Sequence, residues 1–111
     1  MNKLAPFILM FALGCASFQT NAGKTLASTA MTVDAAMKAW SKYVDKNGVD
    51  PARNLAVKTA YIRYQAAMQT ASMVYVHLSQ SKDQSQWVDA AANLLRDSQA
   101  VVKLIKAFTS T

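Results

Sequence analysis

The chain has 111 residues, 52% of them apolar, with three Gly and two Pro. That length holds one domain with a real core, and the scarcity of turn residues excludes a sandwich or barrel built from many short strands. The net charge is +6, from 12 Lys and Arg against six acids, all of them Asp, which directs attention to anionic partners or to a plain solvated surface.

Residues 1–22 have the layout of a secretory signal. Lys3 and the terminal amine form a positive start, and Leu4 to Leu13 is an uncharged apolar run. Small residues follow, Gly14-Cys15-Ala16-Ser17, and then the polar Gln19-Thr20-Asn21. The uncharged stretch from Leu4 to Phe18 is shorter than the ~20 residues needed to span hydrocarbon, so a permanent transmembrane helix is disfavoured.

Phe11-Ala12-Leu13-Gly14-Cys15 resembles the lipobox of bacterial lipoprotein precursors. The resemblance covers the signal alone; the remaining chain is similar to no family we can name. It implies cleavage before Cys15, a diacylglycerol thioether on the Cys15 sulfur, and membrane anchoring through the new terminus. The commonest form has Leu three places before the cysteine and a small residue after that Leu. Here Ala12 and Leu13 hold those places in reverse order. Ala16 is not the Asp that implies inner-membrane retention, so the implied destination in a Gram-negative cell is the outer membrane. Cys15 is the single cysteine, which excludes an intrachain disulfide. Removing residues 1–14 takes Lys3 with them and lowers the net charge from +6 to +5.

On this reading residues 1–14 are the signal, 15–24 a short tether and 25–111 a helical domain. Ordinary cleavage after Thr20-Asn21-Ala22 is the alternative: the signal then runs 1–22, and the protein is periplasmic or secreted. An uncleaved anchor is a third possibility.

The rest of the chain reads as three amphipathic helices, an all-α three-helix bundle. The first is predicted over about 25–46. Leu26, Ala30, Val33, Met37, Trp40 and Val44 recur at alternating steps of four and three, and Asn47-Gly48 closes the helix. Thr32 is an alternative N-cap that would shorten it. The second is predicted over about 51–79, opened by the cap and first-turn pair Asp50-Pro51. Its seam is Val57, Tyr61, Tyr64, Met68, Ala71, Tyr75 and Leu78. A further row, Leu55, Ile62, Met73 and Val76, is expected to widen the apolar stripe toward a second neighbour.

After polar residues 79–83 the third helix is predicted over about 84–108, with Asp83 or Ser85 as cap and Asp83 and Gln86 at capping-box spacing. Its seam is Trp87, Ala91, Leu94, Ser98, Val101, Ile105 and Phe108, thickened by Val88, Leu95 and Val102.

No catalytic residue, metal site or cofactor is indicated. The lone His77 sits off the seam near a helix end, where a positive charge would suit the helix C-terminus. Asp34, Asp50 and Asp83 or Asp89 are expected near helix starts, and Asp45 and Asp97 beside basic neighbours. Zinc spacing, a nucleotide-binding glycine loop and a Gly-x-Ser-x-Gly element are all missing from the sequence. The tyrosines with Trp40 and Trp87 read as core residues whose polar tips reach the rim.

Lys38, Lys42 and Lys46 form one row at four-residue steps, first of all a solvated face. Their functional reading is contact with anionic lipid or wall polymer, near which a tether would hold them. Nucleic acid is not expected, since export puts the domain in the wrong compartment. The expected function is that of a small non-enzymatic envelope lipoprotein, a tethered helical module binding an envelope protein or anionic component. Phage- and prophage-encoded envelope lipoproteins are similar in size and layout, a likeness of format that no residue of the helical domain carries. A released helical binding or inhibitor-like protein is the alternative.

Overall fold

The computed structural model describes the backbone of residues 15–78 and 84–110, and side-chain burial from Thr20 onward apart from 79–83. Within them the chain forms three helices and no strand: α1 (Cys15–Asn47), α2 (Pro51–His77) and α3 (Ser85–Thr109). They pack as a small up-down-up bundle 49 × 28 × 16 Å across. The 33 residues of α1 set the long dimension, since a helix of that length measures about 50 Å.

α3 is the central element. Both other helices pack chiefly against it, and α1 and α2 touch each other least. The core follows: Leu94 and Val101 of α3 are fully enclosed, with Trp87, Ala90, Ser98 and Ile105 nearly so. Val33 and Trp40 reach in from α1; Val57, Ala60, Tyr64 and Ala71 reach in from α2. The one polar side chain on the α3 seam, Ser98, is satisfied because its hydroxyl donates to the Leu95 carbonyl at 2.9 Å.

Aromatic contacts fasten the two ends. At one end Trp40 stacks on Tyr43 and meets Phe108 at 5.9 Å between centroids. The Arg53 guanidinium lies 5.2 Å over the Phe108 ring, and the Trp40 indole N–H donates to Asn54 Oδ1 at 3.3 Å. At the other end Tyr75 and Trp87 meet edge to face.

The local signals at the α1–α2 junction act as expected. Gly48 takes φ +84° and its N–H donates to the Val44 carbonyl at 2.8 Å, closing α1. Asp50 Oδ1 accepts from the Ala52 and Arg53 N–H groups at 3.0 and 3.4 Å, opening α2 at Pro51. All three 4/3 seams face inward: each of their described residues is buried or half-buried.

Four expectations need correction. First, the chain is already helical from Cys15, where the described residues begin, so the stretch expected as a short tether is part of α1. Thr25 lies within the helix, its hydroxyl donating to the Asn21 carbonyl at 3.0 Å, and Thr32 bonds back to the Ser28 carbonyl instead of capping. Second, Ala22 is 1% exposed and a Cβ on Gly23 would stand 3.0 Å from Tyr75 Oη, so this segment belongs to the packed domain. Third, Leu55, Ile62, Met73 and Val76 face outward at 56–65% exposure; the row flanking the α2 seam inside is Ala60, Ala67 and Val74. Val88 and Leu95 of α3 are likewise exposed, while Val102 is half-buried. Fourth, Asp34 is not near a helix start, because the 19 residues before it from Cys15 on are already helical.

Gln84 precedes α3 without a side-chain capping bond, and Ser85 is its first helical residue. The capping role considered for Asp83 lies outside the described residues, as do the expected signal, residues 1–14, and the thiol of Cys15.

Candidate interaction surface

Among the described residues the titratable side chains lie apart from one another, except for short-range pairs. His77 is exposed in the last turn of α2. Among the described residues no three His, Cys, Asp or Glu lie together as metal ligands, and no helix is long and apolar enough to cross a membrane. Asp50 is committed to its cap and lies 3.7 Å from Arg53; Asp97 pairs with the adjacent Arg96 at 3.3 Å. The basic partner expected for Asp45 is not found among the described residues. Tyr64 has its hydroxyl pKa raised, first by burial and then by the nearby Asp34 carboxylate and Tyr61.

Charge is instead segregated along the bundle axis. The part nearest the α1–α2 junction carries Lys38, Lys42, Lys46, Arg53, Lys58, Lys103 and Lys106 against Asp45 and Asp50, and Asp34, Arg63, Arg96 and Asp97 lie nearer mid-length. At the opposite end the described charged residues are Lys24 and Asp89, with His77 beside them. Helix architecture explains part of this: Lys46 and Lys106 lie in the last turns of α1 and α3, where cations meet the negative end of the helix dipole.

Two open grooves between α1 and α3 gather these cations. The larger, about 690 Å³, has Leu95 and Val102 on its floor, hydroxyls from Ser28, Thr29 and Thr32 on the α1 side, and Arg96, Lys103 and Lys106 on the α3 side. The second lies nearer the junction, between Lys42, Tyr43 and Lys46 of α1 and Thr109 of α3. No acid lines either groove. The larger groove offers hydroxyls and three cations to an anion and the second offers two cations, each cation adding a modest, salt-sensitive attraction.

All three lysines of the predicted row are exposed. Lys42 and Lys46 line the α1–α3 groove, and Lys38 lies outside its lining. The partners on α3 went unread from sequence, although Gln99, Lys103 and Lys106 at steps of four and three mark one polar face. What periodicity could not supply is which face of α1 that row opposes. No protein-family model, curated protein or solved structure matches the chain.

Proposed function

We propose that the protein is a small non-enzymatic cell-envelope lipoprotein, anchored through Cys15, whose bundle docks an anionic envelope component along the basic α1–α3 groove. The observation that carries the anchoring is the lipobox-like Phe11-Ala12-Leu13-Gly14-Cys15. Support comes from the residues directly behind it. Cleavage after Ala22 would strip a buried alanine and the Asn21 carbonyl that accepts from Thr25, whereas cleavage before Cys15 keeps both.

The same geometry revises what the lysines reach. Lys38 to Lys46 lie 23 to 31 helical residues beyond Cys15, or about 35–46 Å along α1. An upright bundle therefore holds its basic pole away from the headgroups of its own leaflet. That favours an acidic wall polymer or the acidic face of another envelope protein as ligand.

The test is intact mass of the protein extracted from membranes. The expected species begins at Cys15 and carries acyl chains, and Cys15→Ser leaves it unacylated. A mature terminus at Gly23 with no lipid would replace this reading by that of a released helical binding protein. For the groove, Lys42→Gln with Lys46→Gln and Lys103→Gln is expected to abolish salt-sensitive co-sedimentation with isolated wall material. Unchanged co-sedimentation would remove the groove from the proposal.

A further inference from the structure

α2 carries two seams at 4/3 spacing, offset by two residues and thus on opposite sides of the helix. The inner seam packs on α1 and α3. The outer seam, Leu55, Thr59, Ile62, Ala66, Gln69 and Met73, is exposed at all six positions. Leu55, Ile62 and Met73 are 65%, 56% and 59% exposed, with Lys58 and Arg63 of α2 and Arg96 and Asp97 of α3 at the seam's edges. A heptad-spaced face of this length is the pattern that packs helix on helix.

We propose that this face pairs with the same face of a second copy, as an antiparallel two-fold dimer centred near residue 64 of α2. In that register Leu55 meets Met73, Ile62 meets Ala66 and Thr59 meets Gln69, and the two-fold axis repeats each pair. Apolar thus faces apolar and polar faces polar, with the large Ile62 set against the small Ala66. A two-fold interface requires this kind of self-complementarity, since one patch must serve as its own partner.

Charge selects the antiparallel arrangement. The cations of α2, Arg53, Lys58 and Arg63, all lie in its N-terminal half. Parallel pairing in register would set each against its own copy, and like charges directly opposed are unfavourable. Antiparallel pairing sets Lys58 opposite the uncharged Thr70. Near the axis Arg63 shares a groove of its own copy with Arg96 and Asp97, which pair with each other at 3.3 Å.

The area is sufficient. Each of the three large apolar side chains leaves on the order of 100 Å² in water, so two copies contribute about 600 Å². With Thr59, Ala66, Gln69 and the stems of Lys58 and Arg63, the total passes the roughly 1,000 Å² expected of a specific interface. The contact runs about 27 Å along each helix.

Cysteine cross-linking of the full-length chain in intact cells tests this. Thr59→Cys co-expressed with Gln69→Cys, each with a different tag, is expected to give an oxidised product of twice the chain mass containing both tags. Either variant alone is expected to match the wild-type background set by Cys15. Adding Ile62→Lys should reduce the mixed product at least tenfold while circular dichroism stays unchanged, because that side chain is exposed. Cross-linking of Thr59→Cys to itself, a product of any other mass, or no product above background would overturn the proposal.

Discussion

Shortening α1 from its N-terminus measures how far the folded domain extends toward Cys15. Three chains ending at Thr111 are compared, starting at residue 15 (with Cys15→Ser), at Asn21 and at Gly23. Loss of Ala22 removes a fully buried methyl group, about 0.8 kcal/mol. Loss of the Asn21 carbonyl removes the acceptor of the Thr25 hydroxyl, about 1 kcal/mol. The Gly23 chain is therefore expected to be about 2 kcal/mol less stable than the longest one. For a domain of this size that is a Tm lower by roughly 8–16 °C. The Asn21 chain retains both contacts and is expected to lie much nearer the longest. Thermal melts followed by circular dichroism at 222 nm read the difference, with urea midpoints as a check. Equal midpoints for the Gly23 and longest chains would refute the claim that residues 21–22 belong to the core, and with it the structural support for cleavage before Cys15.

Leu94→Ala empties the middle of α3 where all three helices converge, and a cost of about 3–4 kcal/mol is expected in urea unfolding. Gly48→Ala meets no atom within 4 Å, so its expected cost of about 1 kcal/mol is purely that of holding a side chain at φ +84°. Asp50→Ala removes two accepted N–H bonds at the start of α2, again about 1 kcal/mol, and the two losses should add poorly because they share one junction. Tyr64 has a folded-state pKa above its ordinary 10.0. Its contribution is complete below the unfolded value and is lost as pH rises through the folded one. The decline of Tm above about pH 10 should accordingly be shallower in Tyr64→Phe than in the wild type.

The seams were legible because large apolar side chains at 4/3 steps leave few alternatives for where a helix buries itself. The α1–α2 junction was legible for a different reason: Asn47-Gly48 and Asp50-Pro51 have specific backbone roles that do not depend on tertiary context. The start of α1 was not. There Ala22 is buried and Gly23 lies against Tyr75, and such small residues carry no hydrophobic period. The outer row of α2 misled because two 4/3 seams on one helix are indistinguishable by spacing, and only the placement of α1 and α3 decides which one is enclosed. The α1–α3 groove escaped notice because its cations come from helices distant in sequence, and periodicity on each helix says nothing about how the two face one another.

The helix that completes the core is the last of the three to be synthesised. Until Leu94, Val101 and Ile105 have left the ribosome, α1 and α2 have little to hold each other. The nascent chain therefore lacks its central packing partner until α3 has emerged. On the proposed reading as an exported protein, a chain whose organising helix comes last is well suited to a channel that threads unfolded polypeptide.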